Sequence, residues 1–194
     1  NYGMSSYDKG SVFLSQLGYV IGDGVLKEVL KEYYNQYVFT HPDPEKFIRV
    51  AEKVSGQELD WYLMDWAQTT KTIDYAVVDS EIVLSQKTTY CDSLITSGLE
   101  HEHSLLSLKR KGEMAIPSDV LIETESGLVK KYHIPLLMSR GHKPLGGDVR
   151  LLEPWSWAKK HYSFDVCVAK ESLAKVVVDP LNKSADTDKK NNSI

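Results

Sequence analysis

The hydrophobic period of this sequence changes once, near Thr70, and that change bounds what the chain can fold into. Before Thr70 the apolar residues recur at helical spacing; after it they alternate, or come in short β-branched runs. Charge divides at the same place. Residues 1–70 hold 6 Lys+Arg and 10 Asp+Glu, so the whole net charge of −4 lies there, while residues 71–194 carry 17 of each. The first 70 residues also hold 12 of the 19 aromatics. A helical, aromatic-rich unit followed by a β unit is therefore expected, an α+β fold.

Four helices are predicted. The first runs from about Tyr7 to Leu17 and carries Phe13, Leu14 and Leu17. The second follows Gly22-Asp23-Gly24 with two adjacent apolar rows, Val25, Val29, Tyr33, Tyr37 and Leu26, Leu30, Tyr34, Val38, which predicts burial on more than one side. Asp43-Pro44 starts the third, with Asp43 as N-cap and Pro44 at the first helical position, and Gly56 closes it in the left-handed conformation. Ser55-Gly56-Gln57-Glu58 reads as a capping box opening the fourth, which buries Leu59, Tyr62, Leu63 and Trp66.

From Ile73 onward the signals are strands. Ile73, Tyr75 and Val77 alternate, as do Val120, Ile122 and Thr124, and Glu125-Ser126-Gly127 turns the chain toward Tyr132, Ile134 and Leu136. Lys111-Gly112-Glu113 is a second turn; Phe164, Val166, Val168 and Ala174, Val176, Val178 supply two more strands. Short strands between turn signals predict an antiparallel sandwich of about seven strands. The stretch from Asn182 to Ile194 is polar and is expected to be loose.

Several function classes fall away. No apolar run exceeds four residues, so no membrane span is expected, and no basic stripe points to nucleic acid. Cys91 and Cys167 fit neither a zinc knuckle nor a thiol-redox motif, and could form one bridge or none. Gly22-Asp23-Gly24 has Lys27 where a dinucleotide fingerprint needs its third glycine, so it reads as an interhelical turn. His101-Glu102-His103 would set two imidazoles on one face of a strand, a metal-compatible spacing, but no further ligands support it and surface-loop histidines are the simpler reading. Trp155-Ser156-Trp157 could stack a ligand if both rings shared a strand face, or could serve as core. Asn182-Lys183-Ser184 and Asn191-Asn192-Ser193 match the glycosylation sequon. With Asn1 first and no leader pattern, the chain reads as a piece of something longer or a processed product.

On pattern alone Tyr7 is a buried tyrosine near a helix start. In context, Tyr7-Asp8-Lys9-Gly10 resembles the Y-x-K-G signature of the gluzincin zinc aminopeptidases, the family of aminopeptidase N and the leukotriene-type hydrolases. Tyr2 stands five residues before Tyr7, as a second active-site tyrosine does in some members. Phe39-Thr40-His41-Pro42-Asp43-Pro44 with Phe47 resembles the passage into the next helix, and Glu52 through Trp61 with Trp66 resembles the family's "E-x-x-S-G-x-x-L-x-W…W" ending. Asp179-Pro180 with Asn191-Asn192 is similar to the end of the β-sandwich domain in bacterial members.

The resemblance implies that residues 1–70 are the helical C-terminal part of a thermolysin-like catalytic domain, 71–182 a β-sandwich domain and 183–194 a polar tail. It implies zinc in the parent enzyme, held upstream by H-E-x-x-H and a later glutamate; that motif is absent here, so this fragment is expected to bind no metal and to be inactive alone. A peptide is the implied substrate of the parent. Tyr7 would stabilise the tetrahedral oxyanion, since a phenol offers one neutral O–H donor, and Tyr2 would shape the substrate pocket. Lys9 and Gly10 receive no chemistry, with helix packing the expected reason for Gly10. Analogy with bacterial members suggests the periplasm or cell envelope. The alternative is a non-catalytic β-sandwich module binding glycan or protein.

Overall fold

In a computed structural model the described residues are 7–85, 101–167 and 173–194. Four helices come first: α1 Lys9–Ile21, α2 Asp23–Tyr37, α3 Pro44–Ser55 and α4 Asp60–Gln68. Seven strands follow: β1 Tyr75–Ser85, β2 His101–Arg110, β3 Ser118–Thr124, β4 Val129–Ile134, β5 Val149–Leu151, β6 His161–Val166 and β7 Leu173–Val178. Mixed α+β architecture is what the change of period predicted.

The helix signals act as read at α3. Asp43 accepts the Lys46 N–H at 2.9 Å, Pro44 takes the first turn, and Gly56 closes the helix at φ 68°. Gly22, at φ 97°, joins α1 to α2 as a turn between helices. Two expectations need correction. The Ser55 capping box does not form: α4 starts at Asp60, and the Leu59 N–H is held at 2.7 Å by Glu52 Oε1 from the helix before. A carboxylate on α3 can reach this group because the chain folds straight back through Gly56. The second apolar row of α2 is not buried either. Only Val29 is fully buried; Leu26 packs part-buried against the core where α2 meets α1 and α3, while Leu30 and Tyr34 are exposed.

The strands form two sheets, β1-β2-β6 and β5-β4-β3-β7. Alternation is obeyed where it is clean: Val120, Ile122 and Thr124 are buried on β3 while Glu123 is exposed, and Val176 and Val178 are buried on β7. Both sheets turn residues into one core, in which Tyr132 of one meets Phe164 of the other at 5.3 Å between ring centres. The expected antiparallel arrangement holds with one exception, since β5 pairs parallel to β4. The 14-residue connection from Pro135 to Asp148, with its short helical turn at Leu137–Ser139, is long enough to bring the chain round for that direction. Cys167 is disulfide-bonded; Cys91, like Val168, lies outside the described residues.

Helices and sheets share a single apolar cluster that runs from Leu17, Ile21, Ile48 and Tyr62 into Ile73, Tyr75, Met114 and Val120. Polar contacts stitch the same junction. Gln16 Oε1 accepts the Ala185 N–H at 2.6 Å, and Ser139 O accepts the Glu58 N–H at 2.9 Å.

The polar end is not loose. Asp186 Oδ2 accepts the Tyr75 N–H at 2.8 Å, Thr187 N donates to Ile73 O at 2.9 Å, and Asn192 O and Ile194 O accept the N–H groups of Val178 and Val176. Its polarity is spent on backbone partners. The edge of β7 and the start of β1 each offered unmet groups, and an Asp/Asn-rich segment can satisfy both.

Candidate functional site at the head of the first helix

Helix α1 has two unlike halves. Gln16 through Ile21 are buried in the helix–sheet junction, whereas Tyr7, Asp8 and Lys9 are exposed at its head. Phe13 is the anchor between them. Its ring meets Tyr62 at 5.1 Å, Trp66 at 6.2 Å and Phe47 at 6.3 Å, and its carbonyl accepts the Tyr62 hydroxyl at 2.6 Å. Tyr7 stands six residues before Phe13 and two residues ahead of the start of α1.

Tyr7 is 69% exposed. The core-tyrosine reading therefore does not describe it. That description belongs to Tyr19, Tyr62, Tyr75 and Tyr132, all buried, and burial pushes each of these phenols above its ordinary pKa. Tyr2, the expected pocket-wall residue, lies outside the described residues.

Lys9, two residues on, lines a cleft of about 270 Å³ with Asp65, Trp66, Thr70, Lys71 and Met114, where the helices meet the sheets. Positions two apart do not face the same way on a helix, so Tyr7 and Lys9 serve different surfaces. Gly10 also departs from expectation. A Cβ built there meets nothing within 4 Å among the described residues, so close packing against those residues is not its reason.

The other candidates resolve as follows. Trp155 is buried at 3% exposure, edge-on to Tyr75, while Trp157 is 59% exposed. They do not share a face, because Trp155 makes a bridge to Leu136 and the chain turns immediately after it. His101 and His103 fall on β2 rather than in a loop, and their side chains lie outside the described residues. Among the described residues no three His, Cys, Asp or Glu side chains converge as a metal group would require, and no helix is long and apolar enough to cross a membrane. Of the two sequons, Asn191 has its amide engaged by Asp74 and Asp188 at 3.0 Å each, while Asn182 is exposed.

One constellation escaped sequence reasoning. On the outer face of β3, Asp119 Oδ1 meets His133 Nδ1 at 2.7 Å and Oδ2 accepts from Lys143 Nζ at 2.6 Å, and Lys143 stands 4.5 Å over the Tyr19 ring. Burial tends to raise the Asp119 pKa, but the His133 hydrogen bond and the Lys143 charge outweigh it and hold the carboxyl below its ordinary range. The signal was present only as isolated residues: Asp119 and His133 are partners because β3 and β4 pair in that register.

No protein-family model and no curated protein matches this chain.

Proposed function

We propose that this chain is the C-terminal portion of a zinc-dependent aminopeptidase that removes N-terminal residues from peptides, and that Tyr7 supplies the hydrogen bond that stabilises the oxyanion. The observation that supports this reading is the placement of Tyr7. A tyrosine kept for packing would be buried with Tyr19, Tyr62 and Tyr75, yet Tyr7 is carried out of the core on the head of α1. The exposed row of α2, with Leu30 and Tyr34, is also what a helix has when it is built to be covered on a second side.

Among the described residues no three side chains converge to hold a zinc ion, so its ligands would come from the rest of the parent. What the chain itself contributes is a phenol on a rigid base. As water adds to a scissile carbonyl, charge gathers on its oxygen. An O–H already aimed at that oxygen strengthens its hydrogen bond in the transition state more than in the ground state. The Phe13 cluster anchors α1 just after this donor, with the Tyr62 hydroxyl bonded to the Phe13 carbonyl.

In the full-length parent, Tyr7→Phe should lower kcat by roughly 10² to 10³ with KM little changed. Zinc content and thermal stability should stay near wild type, since the ring is retained and exposed. Tyr2→Phe is the control: a pocket-wall residue should move KM or substrate preference more than turnover. Near-normal kcat in a folded, zinc-loaded Tyr7→Phe enzyme would end this assignment.

A further inference from the structure

The outer face of the four-stranded sheet holds a second cavity, far from Tyr7 in sequence and independent of the reading above. Its volume is about 360 Å³. Leu121, Pro144, Leu145, Val149, Pro180 and Leu181 supply its apolar lining. Its charged residues are Asp119, Lys131 and Lys143. That is the composition of a small-molecule site: a mostly apolar hollow, partly open to solvent, with a few charged groups.

Two features say what would fill it. The first is Leu181, which lines the cavity yet is 70% exposed. It does not hang there by slackness. Asp179 Oδ1 and Oδ2 accept the N–H groups of Lys183 and Ser184 at 3.0 and 2.7 Å, Asn182 N donates to Asp179 O, and Asp179 N donates to Asp119 O. Asp179 and Asn182 both take positive φ, at 52° and 54°, a conformation these two residue types tolerate. The turn thus fixes an exposed leucine at the mouth of an apolar cavity, and an apolar ligand would take it out of water without further ordering.

The second feature is charge. Asp119 is the carboxylate among the lining residues, and its charge is already offset by the Lys143 ammonium at 2.6 Å on Oδ2, with His133 on Oδ1. Lys131 is 47% exposed and held at 2.6 Å by Asp148, which does not line the cavity. Its ammonium has three donors, and one surface partner leaves donors over.

We propose that this cavity binds a small carboxylate with a short aliphatic body, its chain against Leu121, Val149 and Leu181 and its charged end at Lys131. A free short-chain acid and the apolar carboxyl-terminal residue of a peptide share this chemistry.

The test is NMR of the methyl groups of Leu121, Leu145, Val149 and Leu181 in the full chain during titration with hexanoate, with hexanol and hexylamine as neutral and cationic counterparts. Hexanoate should give saturable shifts concentrated at these methyls, with hexanol about tenfold weaker and hexylamine weaker still. Lys131→Gln should bring hexanoate down to the level of hexanol. Leu181→Asp, at an exposed position, should abolish the shifts while leaving the rest of the spectrum in place, and the milder Leu181→Ala should weaken them. An N-acetylated tripeptide ending in leucine then separates the sources: a peptide end if it binds at least as well as hexanoate and loses this on carboxyl-terminal amidation, a free acid if it binds more weakly. Absence of saturable shifts at these methyls, equal binding of hexylamine, or unchanged binding by Leu181→Asp would overturn the proposal.

Discussion

The phenol oxygen of Tyr19 accepts the backbone N–H of Asp119 at 2.9 Å, tying α1 to β3 across a hundred residues of chain. Lys143 completes the tie by reaching both the Asp119 carboxylate and the Tyr19 carbonyl. Tyr19→Phe keeps the ring beneath Lys143 but leaves the Asp119 N–H without its acceptor. A stranded buried donor costs about 1–3 kcal/mol, so the variant should be less stable than wild type by that amount, with its urea midpoint lowered to match. Unchanged stability would mean that the junction is held by apolar packing alone.

Stability should also depend on pH through Asp119. Its folded pKa lies below that of the unfolded chain, because the His133 hydrogen bond and the Lys143 charge outweigh burial. The stabilisation is therefore full above the unfolded pKa and is lost as pH falls through the folded one. Urea denaturation from about pH 6 down to about pH 2 should show wild type converging on Asp119→Asn toward the acid end. Asp186 works in the opposite sense. Burial raises its pKa, so its contribution is present below the unfolded pKa and lost as pH rises through the folded value.

Two glycines should respond oppositely to alanine. At Gly10 a Cβ meets no described atom, so Gly10→Ala should stabilise the isolated chain by up to about 1 kcal/mol through helix propensity. At Gly112 a Cβ would come within 2.4 Å of Thr72 O and 2.6 Å of Asp74 N, both backbone atoms that cannot step aside. Gly112→Ala should cost about 1–3 kcal/mol. Thermal melts of the two variants provide the comparison. On the proposed reading, in which the chain is part of a longer enzyme, Gly10→Ala should stabilise this chain alone yet destabilise that enzyme if a neighbour there occupies the space above α1.

Removal of residues 183–194 distinguishes a clasp from a loose end. The clasp predicts a loss of at least about 3 kcal/mol, since the Tyr75 N–H loses Asp186, Gln16 loses Ala185, and the N–H groups of Val176 and Val178 lose their acceptors. A loose end predicts no change in a denaturation curve.

Local signals were legible where one residue decides the geometry. Asp43, Pro44 and Gly56 set both ends of α3, and alternation placed Val120, Ile122 and Thr124 inward without knowledge of their partners. Reading failed where a partner elsewhere in the chain decides. Glu52 displaced Ser55 at the start of α4, a row of leucine and tyrosine on α2 found nothing to cover it, and a polar tail found backbone to bond. β2 was obscured because Leu105, Leu106 and Leu108 blur the alternation in which Ser104, Leu106 and Leu108 face the core. For the candidate site, residue type singled out Tyr7, and only the fold separated it from the buried tyrosines. The Asp119–His133–Lys143 group has no sequence spacing of its own, being made by strand register and a returning loop.

The bond from Tyr75 to Asp186 joins residues 111 positions apart, and that from Ala185 to Gln16 joins residues 169 apart. A ribosome adding about 5–20 residues per second needs roughly 5–20 s to travel from the first of these tyrosine and aspartate partners to the second. Through that interval the inner surfaces of α1 and of the start of β1 have been made while the residues that seal them have not. Apolar surface left open for seconds invites wrong associations, which grow with concentration and temperature. The clasp therefore acts on time as much as on stability: it makes the helical unit wait for the sheets, and it makes the yield of correctly folded chain depend on what shields that unit while it waits.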